Sequence, residues 1–212
     1  MNGVRARVAL MAKAPVPGLA KTRLAPALGA AGAAALAERL LRHAVGQAVA
    51  SGLGPVTLWA TPDTRHAVFQ HLHHSARVTL ATQPAGDLGE RMAHVFERAF
   101  ADGPGPVLLM GCDIPALDAA TLRAAAAALD DHAVVFAPAL DGGYGLVGLR
   151  AAPPGLLQAL FSAMSWSTPQ VMADSRARLT GIGVAHAELP AVADIDEPAD
   201  LAHLPPGWLH TL

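Results

Sequence analysis

Cysteine, aromatic residues and charge are all scarce in this 212-residue chain. The single cysteine, Cys112, excludes an internal disulfide and fits a reducing compartment. Charged residues make up 15% of the chain and hydrophobic residues 52%, so the sequence is typical of a globular protein rather than a disordered one. A net charge of −2 argues against general binding to nucleic acid or to an anionic membrane. No apolar run looks long enough for a signal peptide or a membrane span, so a cytoplasmic location is expected.

Lysine is nearly absent. Lys13 and Lys21 are the only two lysines, and all other basic residues are arginines. Both lysines lie in the segment MAKAPVPGLAKTRLAP, residues 11–26, and the first acidic residue is Glu38. A protein of nearly neutral charge therefore concentrates unopposed positive charge in one segment, which is either a solvated basic loop or a local anion site.

The segment 11–26 is predicted to be a loop because prolines and Gly18 make it turn. Lys21, Thr22 and Arg23 follow at a spacing that lets cations and backbone N–H groups converge on one anion. The lysine ammonium acts as a compact point charge, and the planar arginine guanidinium can donate two parallel hydrogen bonds. Both groups bind phosphate well. The segment is not a P-loop, because Ala20 stands where that motif needs its second glycine.

Short apolar runs alternate with helical patterns along the chain. This alternation predicts one α/β domain over residues 1–212, with a mostly parallel sheet covered by helices on both faces. The predicted strands are residues 4–12, 55–60, 77–81, 106–111, 133–138, 144–149 and 182–189. The predicted helices lie near residues 30–51, 63–74, 87–101, 118–130, 154–163, 168–179 and 197–203. Ligands of such sheets bind beyond the carboxyl ends of the strands, so the residues after each strand are the candidates for function.

The run VLLMGCDIPAL places Asp113 just after the fourth predicted strand. An acid at the end of a central strand is poorly solvated unless it binds something, and Mg²⁺ or Mn²⁺ prefers carboxylates together with substrate phosphates. The alternative is that Asp113 only starts a turn or caps the next helix, although Asp118 is the better cap.

Two further segments are candidates for substrate binding. Asp141, Gly142, Gly143 and Tyr144 lie between two apolar runs, which predicts either a plain hairpin or a close approach of the backbone to a ligand. The segment SWSTPQVM offers Trp166, Ser167 and Thr168; either Ser167 or Thr168 is expected to cap a helix with Pro169 at its first position.

The junction TQPAGDLGERM contains Gly86, Asp87 and Arg91. Asp87 is expected to cap a helix, with Glu90 as its capping-box partner. Arg91 would lie in the first helical turn, where the helix dipole disfavours a cation, which hints at a ligand or a partner for it.

Near the carboxyl terminus, VADIDEPADL offers Asp194 and Asp196. Alternation along an extended segment places both side chains on one face. Asp196 could cap the following helix, which leaves Asp194 freer to act as a ligand.

Six motifs in this order resemble one bacterial family: AKAPVPGLAKTRLAP, GDLGERM, GCDIPAL, DGGYGLVGL, WST and DIDEPADL. The family is DUF2064, or rSAM/selenodomain-associated transferase 1, and the resemblance covers roughly residues 7–203. It is a glycosyltransferase-A-like (nucleotide-diphospho-sugar transferase) family, similar to the 2-phospholactate guanylyltransferase group. The resemblance implies a three-layer α/β/α Rossmann-like sandwich that binds a nucleotide and a divalent metal, Mg²⁺ or Mn²⁺.

The resemblance also implies roles for the candidate residues. Lys13, Lys21 and Arg23 match the phosphate loop, with Gly18 and Thr22 beside them, and Gly86 to Arg91 match a segment near the nucleotide. Asp113 matches a metal ligand, completed by Asp194 or Asp196, and the residues expected to carry catalysis are Lys13, Arg23 and Asp113. Many glycosyltransferases of this fold carry an Asp-x-Asp motif, but here Gly111 stands at the position of its first aspartate. Metal binding by Asp113 together with a distant carboxylate is closer to the nucleotidyltransferase branch.

Three functions follow as expectations. The first is a metal-dependent glycosyltransferase that uses a nucleotide-diphospho-sugar. The second is a nucleotidyltransferase that uses a nucleoside triphosphate and a phosphorylated acceptor. The third is a nucleotide- or metabolite-binding module without turnover. In every case the partner is a small nucleotide-type molecule rather than nucleic acid or a membrane.

Overall fold

Seven strands form one sheet in the computed structural model, which describes residues 5–209. They are β1 (Arg7–Lys13), β2 (Val56–Thr61), β3 (Thr79–Thr82), β4 (Val107–Gly111), β5 (Val134–Pro138), β6 (Tyr144–Leu149) and β7 (His186–Glu188). Their order is β3-β2-β1-β4-β6-β5-β7, and β6 runs antiparallel to both of its neighbours. The remaining pairs are parallel, as predicted.

Over residues 5–209, six α-helices cover the two faces of the sheet. They are α1 (Ala25–Ala50), α2 (Ala67–Ala76), α3 (Leu88–Ala101), α4 (Ala119–Asp131), α5 (Leu156–Phe161) and α6 (Val171–Gly181), and short 3₁₀ helices occupy Thr22–Leu24 and Pro198–His203. Helices α1, α2 and α4 pack on one face, and α3, α5 and α6 pack on the other. The predicted three-layer α/β/α sandwich is therefore confirmed.

The central strands are apolar along both faces because helices cover both. In β1, Leu10 packs under α1 and α2, whereas Ala9 packs on the side of α3. A strand buried on both faces has no need for alternation of polar and apolar residues, which is why these runs are continuous in the sequence.

Every predicted strand and helix is present, although the helix predicted near residues 197–203 is a 3₁₀ helix. The strand at residues 144–149 has the predicted ends, and the other elements have at least one shifted end. The strand predicted from residue 4 is seen from Arg7; residue 4 itself lies outside the described residues. Helix α1 begins earlier than predicted, at Ala25, but its backbone is broken at Gly29, where φ is 71° and ψ is 165°. The predicted cap of α6 is wrong: the helix begins at Val171 after Gln170, with no side-chain cap, because Thr168 Oγ1 donates instead to Ser165 O at 2.8 Å.

One stretch of the described chain, Thr22–Ala50, is long and apolar enough to cross a membrane by length and composition, contrary to the sequence-based expectation. Core helices pass the same test, and α1 places Leu36, Leu40 and Val45 in the protein core. This is weak support for a membrane span, and the cytoplasmic location stays a prediction.

The candidate residues converge at one edge of the sheet. The parallel strands β1 and β4 both end there, so Lys13, the last residue of β1, and Asp113, two residues after β4, lie on the same side. Strand β6 is antiparallel and begins at that edge, which brings Tyr144 to it. Val192 N donates to Pro138 O at 2.8 Å, so the segment that carries Asp194 runs beside the end of β5.

Candidate active site

A large cavity of about 590 Å³ lies over this edge of the sheet. Predicted residues line it from every candidate segment but one. They are Lys13, Lys21, Thr22, Arg23, Asp113, Asp141, Gly143, Tyr144, Trp166, Ser167, Thr168, Asp194 and Asp196. The structure thus brings together side chains up to 183 positions apart in the sequence.

The first loop presents its cations through an unusual backbone conformation. Lys21 is a non-glycine residue in the left-handed region, with φ 48° and ψ 45°, directly before the 3₁₀ helix Thr22–Leu24. Leu24 is fully buried and anchors the end of the loop. Strain of this kind is stable only where the surroundings impose it, and here two carboxylates hold the Lys21 side chain.

Lys21 bridges the two acidic segments. Its Nζ donates to Asp113 Oδ2 at 2.8 Å and to Asp196 Oδ1 at 3.3 Å. Arg23 Nη1 donates to Asp196 Oδ2 at 3.1 Å and to Glu197 Oε1 at 3.4 Å. Burial by itself lowers the pKa of Lys21, but the carboxylates of Asp113 and Asp196 outweigh it, so the pKa is raised and the ammonium stays charged.

The backbone locks the acidic segments to each other. Ile195 N donates to Asp113 O at 3.0 Å, and the Ile195 side chain is fully buried. With Ile195 fixed in the core, the neighbouring residues Asp194 and Asp196 both reach the cavity lining. The hydrogen bond therefore determines that the distant C-terminal segment completes the site begun by Asp113.

Asp194 lacks the cationic partners that Asp196 has. Burial raises the pKa of Asp194, and the carboxylates of Asp141 and Asp113 raise it further, whereas Lys21 opposes them only weakly. The Asp194 end of the cavity therefore carries more negative charge than its own cations balance.

This surplus fits a divalent cation. Carboxylate oxygens are hard ligands of the kind that Mg²⁺ and Mn²⁺ select. Within residues 5–209, no group of three or more His, Cys, Asp or Glu side chains is already arranged to hold a metal. The carboxylates of the cavity are ligands of the right chemistry for such an ion. Two of them, Asp113 and Asp196, are paired with the ammonium group of Lys21.

The hairpin between β5 and β6 is present and is also part of the cavity lining, while the approach of its backbone to a ligand stays a prediction. Asp141 Oδ1 accepts from Gly143 N at 2.9 Å and shapes the turn. Gly142 has φ 90°, and a Cβ there would lie 2.3 Å from Pro169 O, so this glycine allows close packing against the 165–170 segment rather than lining the cavity.

The junction before α3 is a capping structure. Glu90 N donates to Asp87 Oδ1 at 2.9 Å, and Asp87 N donates to Glu90 Oε2 at 2.8 Å, which confirms the predicted capping box. Arg91 Nε donates to Gly86 O at 2.9 Å, and this contact supplies the partner that its position in the helix required. Gly86, Asp87 and Arg91 do not line the cavity, and neither does Gly18, whose φ of 76° serves a turn.

Several cavity residues were not identified from the sequence. Leu88 and Met92 come from the first turns of α3, and Met11 and Leu19 come from β1 and the loop that follows it. Their apolar character gave no signal that distinguishes a cavity wall from a core position. Leu19 is 59% exposed and Leu88 is 42% exposed, so both form an apolar rim at the cavity mouth.

Known proteins resemble this chain in sequence and in fold. The family described as "Uncharacterized protein conserved in bacteria (DUF2064)" matches residues 32–168. A phosphoenolpyruvate guanylyltransferase from Sphaerobacter thermophilus is 30% identical over 187 residues, covering 87% of this chain and 86% of the relative. A 3-phospho-D-glycerate guanylyltransferase from Phenylobacterium zucineum is 31% identical over 192 residues, covering 89% of this chain and 85% of the relative.

Solved structures agree with the fold. A provisionally assigned nucleotide-diphospho-sugar transferase from Desulfovibrio desulfuricans G20 superposes with a TM-score of 0.83 at 28% identity, over 92% of this chain and 84% of the other. A nucleotidyl transferase from Methanothermobacter thermautotroptrophicus has a TM-score of 0.65 at 16% identity over 99% of this chain and 100% of its own, and supports the fold alone. The expectation of a nucleotide-using transferase is confirmed at this level, and the chain belongs to the DUF2064 family.

Proposed function

We propose that this protein is a metal-dependent nucleotidyltransferase that transfers a guanylyl group from GTP to the phosphate of a small phosphorylated carboxylic acid. The observation that carries the proposal is that Lys13 at the end of β1, and Lys21 and Arg23 in the loop after it, line the same cavity as Asp113 and Asp194. Cations suited to phosphates and carboxylates suited to a divalent ion thus meet in one place. The two curated guanylyltransferases supply the base and the class of acceptor.

The reaction needs positioning and charge neutralisation. An oxygen of the acceptor phosphate attacks the α-phosphorus of GTP, the bond from that phosphorus to the β-phosphate oxygen breaks, and pyrophosphate leaves. Lys13, Lys21 and Arg23 would hold the triphosphate and offset the charge that grows on the pyrophosphate. No protein nucleophile is required, and burial raises the pKa of the thiol of Cys112, which keeps that residue unreactive.

Asp113 and Asp194 are the proposed ligands of Mg²⁺ or Mn²⁺. Asp196 is paired with both Lys21 and Arg23, whereas Asp113 is paired with Lys21 alone, so Asp196 is better suited to orient those cations than to bind a metal. When bound, the ion would neutralise phosphate charge beside the reacting phosphorus.

Glycosyl transfer from a nucleotide-diphospho-sugar is the second candidate. The similarity to the Desulfovibrio desulfuricans structure favours it. Against it, Gly111 occupies the first place of an Asp-x-Asp pair, and a loop with three cations suits a triphosphate better than a diphosphate.

The test is a substrate panel on the purified full chain with Mg²⁺ or Mn²⁺. GTP, ATP, CTP and UTP are each combined with phosphoenolpyruvate or 3-phosphoglycerate, and pyrophosphate release is measured. We expect release only with GTP and an acceptor together. Release of a nucleoside diphosphate from a panel of sugar nucleotides, with no pyrophosphate from any triphosphate, would replace the proposal with glycosyl transfer.

A further inference from the structure

Two buried hydrogen-bonding atoms in the cavity wall have no partner among the described residues: Tyr144 Oη and Trp166 Nε1. Both side chains line the cavity, and their ring centroids lie 6.4 Å apart with the planes nearly perpendicular. Buried polar groups in native proteins are nearly always hydrogen-bonded, because leaving one unpaired costs free energy. A neighbouring pair of such groups in one cavity therefore marks a place where a ligand supplies the acceptors.

Both atoms act as donors. The indole N–H can only donate, and the tyrosine hydroxyl stays protonated because burial raises its pKa. Tyr144 is fixed by a ring contact with Phe136 at 5.1 Å, so its hydroxyl is held in one position by packing.

The backbone around Trp166 is constrained in a way that a plain core tryptophan does not need. Ala163 and Ser167 both have positive φ, 51° and 60°, on either side of it. Arg178 holds the same loop by donating to Ser162 O at 2.6 Å and to Ala163 O at 2.7 Å. Strained residues cluster where structure serves a site.

The position of the Trp166 indole ring also depends on Gly89 in α3. A Cβ on Gly89 would lie 2.8 Å from Trp166 Nε1 and 2.1 Å from Phe161 O, so no other residue leaves room for the ring. Leu88, the first residue of α3, lines the cavity, so the positive end of this helix dipole lies beside the indole N–H.

The walls around the two donors specify the ligand further. Tyr144 and Trp166 pack against a core cluster whose members Met92, Leu109 and Val147 are apolar and also line the cavity. The lysine and arginine side chains that line the cavity, Lys13, Lys21 and Arg23, all belong to residues 13–23. Within the described part of the chain, no lysine or arginine that lines the cavity is a sequence neighbour of either donor, so the pair suits an oxygen acceptor carried by a short carbon skeleton.

We propose that Tyr144 Oη and Trp166 Nε1 bind the carboxylate of the acceptor and thereby select phosphorylated acids over phosphorylated alcohols. This inference rests on the proposed function, since it assigns the second end of the same acceptor whose phosphate attacks GTP. A site built to hydrogen-bond a group rejects an analogue that lacks it, because its buried donors are then left unpaired.

The first test is steady-state kinetics of Tyr144→Phe with 3-phospho-D-glycerate, and with sn-glycerol 1-phosphate, the alcohol of the same C2 configuration, as the matched control. We expect the KM for the acid to rise about tenfold while the KM for GTP does not change, so that the preference for the acid over the alcohol in kcat/KM falls. The variant should unfold at the same temperature as the wild type or higher, because it removes an unpaired hydroxyl. An unchanged KM for the acid would overturn the inference.

The second test does not need turnover. The indole ¹⁵N–¹H resonances of the three tryptophans are assigned with Trp166→Phe and Trp208→Phe. Phosphoenolpyruvate or 3-phosphoglycerate, added with GTP and Mg²⁺, should shift the Trp166 signal and leave the Trp208 signal in place. If the substrate panel gives no pyrophosphate but the Trp166 signal still shifts, the acid subsite stands and guanylyl transfer fails. No shift with either acid overturns the subsite.

Discussion

Lys21 lies between Asp113 and Asp196, with its ammonium nitrogen 2.8 Å from one carboxylate and 3.3 Å from the other. These two contacts join the loop that carries Lys21 to both acidic segments. The Lys21 side chain is mostly buried. The ammonium occupies the kind of place that a divalent cation would take, so metal binding and the position of the loop are expected to be coupled.

Lys21→Met should change metal binding and catalysis in opposite directions. Without the competing ammonium, the free protein should bind Mn²⁺ about tenfold more tightly, as measured by electron paramagnetic resonance titration. Guanylyl transfer should fall because the phosphates lose a cation. The matched control is Lys13→Met: Lys13 lines the same cavity, but no hydrogen bond or ion pair is found for it within residues 5–209. It should weaken GTP binding without changing Mn²⁺ affinity, and equal Mn²⁺ affinity in all three proteins would contradict the coupling.

Asparagine substitutions separate the roles of the three aspartates. Asp113→Asn and Asp194→Asn should abolish nearly all turnover and weaken Mn²⁺ binding, because each removes a charged metal ligand. Asp196→Asn should retain metal binding and lose activity only about tenfold, since it orients Lys21 and Arg23.

Asp102→Asn is the control for these variants, because Asp102 is exposed and pairs only with Arg98 among the described residues. If Asp113→Asn kept both nucleotide affinity and metal-dependent activity, the assignment of the site would be wrong. If it kept affinity while the wild type showed no turnover either, a binding module would explain the chain.

Gly89→Ala should destabilise the protein and disturb Trp166. The new methyl group would meet Phe161 O, a backbone atom that cannot move cheaply, so we expect a loss of about 1–3 kcal/mol in the free energy of unfolding. Gly46→Ala is the matched control, because Gly46 lies in α1 and has nothing within 4 Å of the added Cβ. It should stabilise the protein by about 0.5–1 kcal/mol. Urea unfolding of the two variants measures both effects, and equal signs would refute the steric argument.

The cap of α4 should make a pH-dependent contribution to stability. Asp118 accepts a hydrogen bond from Thr121 N at 2.7 Å, and this contact lowers the pKa of its carboxyl group. Asp118→Ala should cost about 1 kcal/mol at neutral pH. Since the pKa is lowered in the folded state, the contribution is complete above the unfolded pKa and is lost as the pH falls through the folded pKa.

Acid titration of unfolding checks this prediction. The difference between wild type and Asp118→Ala should shrink below about pH 4. Asp118→Asn retains the cap without a titrating group, so its difference from Asp118→Ala should remain over the same range. A difference between wild type and Asp118→Ala that is constant over this range would contradict the capping role.

Much of the site could be predicted from the order of strands and loops. Lys13 and Asp113 follow apolar strands, and the carboxyl ends of parallel strands meet at one edge, so their proximity follows from the fold class alone. Asp87 and Glu90 form their capping box within four residues, so local sequence was sufficient. Local sequence was not always sufficient: the predicted cap of α6 is wrong, because the hydroxyl of Thr168 donates to Ser165 O instead.

What the sequence by itself determined is the sheet, its helical layers and the concentration of cations in one loop, because each follows from local composition and periodicity. Only the tertiary structure decided that Lys21 pairs with Asp113 and Asp196, since this needs the C-terminal segment beside β4 through the contact of Ile195 with Asp113. The sequence also could not show that Tyr144 Oη and Trp166 Nε1 lack hydrogen-bond partners, because whether a buried polar atom finds a partner depends on every element packed around it.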